Sequence, residues 1–282
     1  MCRSLYYNDW MSFQLITPRH DQLIAAILEA IPTAKTAKIA SDLEGLIGII
    51  REDIPEKRRI STGRYSIIKA LGERIQPQLK EGHGIASQLF AAPITPFVRS
   101  LALQILSLEA LDNSDLALAI PTFETASGDE DWIVRECASG LVRKLIKAFP
   151  EKTRDWYLKL VLSPDPNQRR FVSESLRPVV ENRWFHNDPE YPLGIIKSLF
   201  KEAIPYPRTS VGNNISDWMR VKETFAWPIV NELAHNGDEN SFWIAYRACR
   251  NIVKVKQVEV MQLLNVEEYT YKKRHYRLVD YR

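Results

Sequence analysis

The basic residues of this chain point most directly to a possible chemistry. Its 282 residues include 38 Lys and Arg against 35 Asp and Glu, a net charge of only +3. The excess is local, because residues 143–177 hold nine basic against four acidic side chains, and residues 247–282 again hold nine against four. Cations that merely solvate helix faces would explain these segments. A surface that binds phosphate groups is the alternative.

A carboxylate and an indole occur one helical turn apart, just before the first basic segment. Trp132 and Glu136 are four residues apart, so both side chains project from the same face of a helix. A fixed carboxylate stabilises developing positive charge, and the π face of tryptophan also favours cations. A solvated or ion-paired Glu136 is the alternative.

Other chemistries lack their usual residue patterns. The five histidines never combine with Cys or a second His at metal-ligand spacing. The three cysteines, Cys2, Cys137 and Cys249, are scattered, which indicates a reducing compartment rather than a disulfide framework or a zinc site. A Gly-rich phosphate loop and a nucleophile elbow are both absent. We therefore expect no metal and no cofactor.

The overall composition is that of a globular protein. With 45% apolar and 10% aromatic residues, the chain can bury a large core. The N-terminal residues lack the apolar region of a signal peptide, and no run reaches the roughly 18 apolar residues of a membrane span. These features predict a cytoplasmic location.

The elements that must position these residues are predicted to be helices throughout. Apolar residues recur at helical spacing, and no segment alternates with the period of a strand. The pattern predicts helices over residues 18–31, 35–51, 62–79, 83–91, 95–110, 114–125 and 129–149. Further helices are expected to begin near residues 163–166, 187–189, 205–207 and 236–238, where Pro, Asp and Asn cluster.

The second half of the chain shows weak internal similarity. Several segments place Arg near a helix start and then a small residue on the face that meets the next helix, namely Ala138, Ser173, Gly212 and Ala248. Matching Arg169 to Arg208 gives a period of 39, and matching Arg208 to Tyr246 gives 38. Such periods are typical of HEAT or armadillo helix pairs. We therefore predict an all-α fold of HEAT-like helix-pair repeats stacked in a curved α-solenoid.

Three runs of sequence now bear on function: SPDPNQRRFVSESLRP at 163–178, PRTSVGNNISD at 207–217 and FWIAYRACRNIVK at 242–254. In order and spacing they resemble the HEAT-like DNA alkylation repair family, the AlkC/AlkD-type alkylpurine DNA glycosylases. The resemblance covers residues 95–265. It implies one solenoid domain over 1–282, with a helical cap at 1–94, the repeats at 95–265 and a basic tail at 266–282.

The resemblance also implies roles for individual residues. A basic concave face would hold duplex DNA, and Glu136 matches the carboxylate that faces the deoxyribose of an alkylated nucleotide, with Trp132 as its aromatic companion. Arg170, after Arg169, matches a contact to the phosphate backbone near the lesion. Asn213 stands where the AlkD branch has a second aromatic residue, which is closer to the AlkC pattern.

The predicted partner is therefore double-stranded DNA that contains alkylated bases, bound by a monomer without a membrane or a metal. Phosphate contacts are expected from Arg143, Arg169, Arg170, Arg208, Arg247 and Arg250. For each arginine, an ion pair or a helix cap within the fold is the alternative.

Two other functions fit the same pattern. One is a HEAT-repeat scaffold without catalytic activity that holds a protein partner on the same face. The other is a nucleic-acid-binding protein that recognises distorted structures without cleaving the glycosidic bond.

Overall fold

The protein folds into α-helices joined by short connections, as shown by a computed structural model that describes residues 14–31, 33–59, 62–92 and 94–270. Within those ranges there are sixteen α-helices and five short 3-10 helices, and no β-strand. The prediction of an all-α fold is confirmed. The first eight helices are α1 (Pro18–Ala30), α2 (Thr36–Asp53), α3 (Glu56–Arg59), α4 (Arg64–Ile75), α5 (Gly82–Ala91), α6 (Pro96–Asp112), α7 (Ile120–Ser127) and α8 (Trp132–Leu141). The remaining eight are α9 (Arg143–Ala148), α10 (Pro150–Leu160), α11 (Pro166–Ser175), α12 (Glu190–Ile196), α13 (Pro205–Val221), α14 (Glu223–His235), α15 (Glu239–Ala248) and α16 (Gln257–Leu264).

Proline and capping residues set many of the helix starts. Helices α1, α6, α10, α11 and α13 begin with proline, whose fixed φ suits the first helical position and whose missing N–H is not needed there. The carboxylates of Asp165 and Asp238 each accept a backbone N–H at 2.8 Å at the starts of α11 and α15. The starts predicted near residues 163–166, 205–207 and 236–238 are confirmed.

Two predicted helices are interrupted. The segment 114–125 contains a 3-10 turn at Leu116–Leu118 before α7 begins. The helix predicted over 129–149 divides into α8 and α9 at Val142, where φ of −63° and ψ of −19° are close to the values of a 3-10 turn. Helical periodicity continues through such a turn, so the sequence pattern does not reveal the break.

The chain forms two compact units. Among the described residues, unit 1 contains those up to Phe123 together with Asp131–Leu141, and unit 2 contains Glu124–Glu130 together with those from Val142 to residue 270. The predicted boundary between cap and repeats at residue 95 falls inside unit 1, where α5 packs against α6. The single-domain arrangement stays a prediction.

Helix α6 lies at the centre of unit 1. Its apolar residues are buried around most of its circumference, including Val98, Leu101, Leu103 and Leu106, as expected for a helix with neighbours on several sides. It packs against α4, α5 and α8. This packing holds α8, the helix that carries Trp132 and Glu136.

Unit 2 contains three neighbouring helices that run in the same direction. On α13, Ser210 contacts Glu174 of α11, and Asp217, further along α13, contacts Arg177 just after α11 ends. On the other side of α13, the contacts to α15 and the residues after it advance in the same sense: Arg208 to Asn240, Asn213 to Arg247 and Ser216 to Asn251. Helix α14 returns the chain between α13 and α15 and packs against both.

The small residues predicted at these contacts are buried. Ser173 and Ala248 have no exposed surface, and Gly212 also lies among the buried residues of α13. Close approach of parallel helices requires small side chains at the contact. The sequence therefore identified the packed face of these helices correctly.

Helices long and apolar enough to cross a lipid bilayer do not occur in the part of the chain that the structure describes. Of the predicted basic tail at 266–282, residues 271–282 lie outside the described part of the chain.

Candidate nucleic-acid interface

Arg169 connects the start of α11 to the loop before α13. It occupies the fourth position of α11, and its Nε and Nη2 atoms donate to the two carboxylate oxygens of Glu202 at 2.6 and 3.1 Å. Its Nη1 atom donates to the carbonyl oxygens of Ser163 and Pro164. Its hydrogen bonds to Glu202 raise the pKa of Arg169 further. All three guanidinium nitrogens are thus used within the fold, which is the structural role left open for each arginine.

Arg208 makes the corresponding contact from the start of α13. It is the fourth residue of α13, and its Nη1 donates to the amide oxygen of Asn240 at 2.5 Å. Its guanidinium also lies over the ring of Trp243, 4.7 Å from the centroid. Burial lowers the pKa of Arg208, and the charge of Glu202 opposes that effect. Arg169 and Arg208 thus reach acceptors 33 and 32 residues ahead.

A buried cluster of Glu174, Arg177 and Asp217, here called the carboxylate cluster, connects α11 to α13. Arg177 donates from Nη1 to Oε1 of Glu174 at 2.5 Å and from Nε to Oδ2 of Asp217 at 2.7 Å. The side chains of Glu174 and Asp217 are only 9% and 7% exposed. Two carboxylates are therefore held in fixed positions by one shared guanidinium.

Glu174 is ionised at neutral pH despite its burial. Burial acts to raise the pKa of this carboxyl group, and the charge and hydrogen bond of Arg177 oppose that effect. The charge of Arg170 and the hydroxyl of Ser210, which donates to Oε2 at 2.8 Å, lower the pKa further. The net result is a pKa below the ordinary value of a glutamate.

Arginines outnumber acids around this cluster. Arg143, the first residue of α9, donates to the carbonyl oxygen of Glu174 at 3.3 Å, and Arg170 lies 3.8 Å from its carboxylate. Arg220 lies 3.6 Å from Asp217. Arg250 is close enough for Asp217 and Arg177 to act on its pKa, and Arg247 acts on it too. Four arginines therefore contact Glu174 or lie beside the carboxylates of Glu174 and Asp217, namely Arg143, Arg170, Arg177 and Arg220.

The position of Arg247 depends on the glycine opposite. A methyl group at Gly212 would lie 2.6 Å from Cγ and 2.7 Å from Cβ of Arg247, so only glycine leaves room for this side-chain stem. The Nε atom of Arg247 then donates to the amide oxygen of Asn213 at 3.1 Å. The predicted residues Asn213 and Arg247 are thus brought together.

An aromatic ring lies beside Arg170. Tyr206, near the start of α13, is 38% exposed, and the guanidinium of Arg170 lies 4.6 Å from its ring centroid. The side chain of Arg170 is 11% exposed. The predicted contact Arg170 therefore lies between Tyr206 and the carboxylate cluster.

The predicted catalytic pair belongs to unit 1. Trp132 is the first residue of α8 and is 63% exposed, and Glu136 is half-buried one turn later on the same helix. The next residue, Cys137, is buried, and burial raises the pKa of its thiol. The arginines described above all belong to unit 2, so the structure assigns the predicted carboxylate and the predicted phosphate contacts to different units.

No protein-family model, no curated protein and no solved structure matches the chain. Its function must therefore be inferred from the residues and their arrangement.

Sequence reasoning did not single out Glu174 and Asp217. Both lie inside the runs that carry the family resemblance, and a further signal was present. Arg177 and Asp217 are opposite charges 40 residues apart, close to the predicted repeat length. Opposite charges one repeat apart indicate a pair between neighbouring parallel helices, and that rule would have located the carboxylate cluster.

Proposed function

We propose that this protein binds duplex DNA through unit 2 and excises cationic alkylated purines from it. The observation that carries the proposal is the gathering of four arginines, Arg143, Arg170, Arg177 and Arg220, around Glu174 and Asp217 where α11 meets α13. Guanidinium groups in excess over local acids are the groups that the phosphate backbone requires. The resemblance to the DNA alkylation repair family supports duplex DNA as the partner.

We further propose that the helices stack as HEAT-like repeats in an α-solenoid. The parallel course of α11, α13 and α15 supports this arrangement, because after each intervening segment the next of these helices packs beside the previous one. The regular reach of Arg169 and Arg208 to acceptors 33 and 32 residues ahead also supports it. Contacts that recur between nearest neighbours are typical of repeat proteins.

The bond that breaks is the one between C1′ of the deoxyribose and N9 of the purine. An N3- or N7-alkylpurine already carries positive charge, so the electron pair of this bond moves to the base without prior protonation. The base leaves neutral, and the sugar becomes an oxocarbenium ion. Water then adds at C1′ and loses its proton, leaving an abasic site. Catalysis requires a fixed carboxylate beside the sugar cation.

The resemblance assigns that carboxylate to Glu136, with the exposed indole of Trp132 packing against the sugar or the cationic base. Glu174 is a second candidate, because it is ionised and lies among the arginines. Its two oxygens already accept from Arg177 and Ser210, so much of its charge is compensated. The resemblance makes Glu136 the first choice.

The test is release of 3-methyladenine and 7-methylguanine from methylated duplex DNA. We expect release by the wild type and a loss of about 100- to 1000-fold for Glu136→Gln, the usual cost of one preorganised charged group. Glu174→Gln tests the second candidate. Glu29→Gln, an exposed position in unit 1, is the matched control and should retain full activity.

Each outcome assigns a function. Equal release by wild type and Glu136→Gln would remove Glu136 from the mechanism. No release by the wild type, with affinity for duplex DNA retained, would replace the glycosylase with a binding-only protein. Absence of both release and DNA binding would refute the proposal and favour a scaffold for a protein partner.

A further inference from the structure

Helix α1 begins beside a buried histidine that uses both of its ring nitrogens. His20, the third residue of α1, is only 1% exposed. Its Nδ1 atom accepts the backbone N–H of Thr17 at 3.1 Å, and its Nε2 atom lies 3.0 Å from Oδ2 of Asp53, the last residue of α2. Because a backbone N–H can only donate, Nδ1 carries no proton here. The ring is therefore a neutral imidazole that donates from Nε2 to Asp53.

A proton on Nδ1 would remove the acceptor of the Thr17 N–H. An imidazolium ring has two N–H donors and no acceptor, so two N–H groups would then face each other with their nitrogens 3.1 Å apart. The hydroxyl oxygen of Thr17 lies 3.2 Å from Nδ1 and can accept the new N–H, but the backbone N–H gains no acceptor in exchange. Positive charge in the first turn also opposes the dipole of α1. Protonation therefore weakens the bond that holds Thr17 on the start of the helix.

The charges around His20 hold the ring in place when it is protonated. The carboxylate of Asp53 becomes its ion-pair partner at 3.0 Å, and Arg19 lies 3.6 Å from the same carboxylate. Asp21, on which the charge of His20 also acts, accepts two hydrogen bonds from Arg74 of α4 at 2.6 and 2.8 Å. The ring thus stays on α2 through Asp53, while the bond to Thr17 is the one that protonation breaks.

The residues around Thr17 line a cleft against α4. Gln14, Ile16 and Pro18 line it together with Glu73 and Arg74 of α4, around a volume of about 400 Å³. Thr17 lies between two of these lining residues in the sequence. A movement of its backbone therefore changes the shape of the cleft.

We propose that His20 is an acid-sensitive latch that holds segment 14–17 on α1 at neutral pH and releases it when the ring is protonated. Imidazole is the side chain that changes charge between about pH 5 and about pH 8. Release opens the cleft against α4, and Asp53 keeps α1 attached to α2 at the same time. The latch is independent of the proposed function, which assigns no role to these residues.

Hydrogen exchange at the amide of Thr17, measured by NMR in the full chain, tests the latch. After correction for the intrinsic effect of pH, protection of this amide should fall by about five- to tenfold between about pH 7.5 and about pH 5, the factor that corresponds to one lost hydrogen bond. In His20→Gln, the amide oxygen at the third helical position can accept the same N–H and does not titrate. Protection of Thr17 in this variant should therefore be the same at both pH values.

His83→Gln is the matched control, because it removes an exposed imidazole from α5 in the same unit. It should keep the pH dependence of the wild type. Equal protection of Thr17 at both pH values in the wild type would overturn the latch. An equal fall in His20→Gln would overturn it too, since the titrating group would then lie elsewhere.

A second measurement needs only the wild type, so it decides the question even if His20→Gln does not fold. Nitrogen-15 spectra of the imidazole groups distinguish the two neutral tautomers. At neutral pH, His20 should carry its proton on Nε2 and accept on Nδ1, as the contacts to Asp53 and Thr17 require. A proton on Nδ1 at neutral pH would refute the proposal.

Discussion

Replacing Arg177 with methionine should destabilise unit 2 strongly, because two buried carboxylates would lose the guanidinium that they share. Methionine keeps much of the side-chain stem, so the change removes the charge and its hydrogen bonds more than the packing. At neutral pH, Glu174 and Asp217 would remain buried with less compensation. Unpaired buried charge is among the few causes of a large loss of stability from one substitution.

The expected loss is about 3 kcal/mol in the free energy of unfolding. Breaking a buried ion pair by removing one partner typically costs about 3–5 kcal/mol. The lower end applies because Arg177 is 22% exposed. It also applies because Arg170 and Ser210 remain beside Glu174, and Arg220 remains beside Asp217.

Tryptophan fluorescence during urea unfolding is a suitable assay, because five of the seven tryptophans lie in unit 2. Arg154→Met is the matched control. The ion pair of Arg154 with Glu151 is exposed and 3.8 Å long, and Arg154 also lies over the Tyr191 ring, so its loss should cost at most about 1 kcal/mol. Equal destabilisation by the two variants would refute the central role assigned to the carboxylate cluster.

The pH dependence gives a second check. The folded protein lowers the pKa of Glu174, so its contribution to stability is complete above the ordinary pKa and is lost as the pH falls through the folded value. Without Arg177, burial of Glu174 is less opposed and its pKa rises. Protonation of Glu174 then removes the buried charge and stabilises the variant. The difference in the free energy of unfolding between wild type and Arg177→Met should therefore become smaller from about neutral pH to about pH 4. A difference that widens in acid would contradict this account.

Two further predictions concern the packing at Gly212 and the burial of two cysteines. Gly212→Ala should destabilise unit 2 by about 1–3 kcal/mol and weaken duplex binding, because the added methyl would displace Arg247. The control is Gly194→Ala, where the space around the new methyl is open. This variant should have unchanged or higher stability in urea unfolding and unchanged duplex affinity by fluorescence anisotropy. Burial raises the pKa of Cys249 to about 12 and also raises that of Cys137. Both thiols should therefore resist alkylation at neutral pH until urea unfolds the chain. Peptide mapping that finds either cysteine labelled in the native protein would show that its thiol is accessible and refute this prediction.

The helices themselves could be predicted because their signals are local. Proline at the first helical position, aspartate at the cap and apolar residues at helical spacing act within one or two turns. Those signals located the starts of α11, α13 and α15. Spacing of small residues such as Gly212 also indicated which helix faces meet, since close packing restricts side-chain size.

The partners of the arginines could not be predicted in the same way. Arg169 and Arg170 are adjacent in sequence, yet successive residues of a helix point about 100° apart. One therefore reaches Glu202 in the loop ahead, and the other lies between Glu174 and Tyr206. Which acid each cation meets depends on the register between helices, and that register is set by tertiary packing. Charge counts along the sequence do not contain this information.

The regular reach of Arg169 and Arg208 has a mechanical consequence. The guanidinium of Arg169 ties the start of α11 to the loop before α13, and that of Arg208 ties the start of α13 to the start of α15. Force applied at the C-terminal end of unit 2 would therefore load one such tie before the other. Single-molecule pulling from that end should detach the helices in sequence, with successive small rips rather than one large rupture.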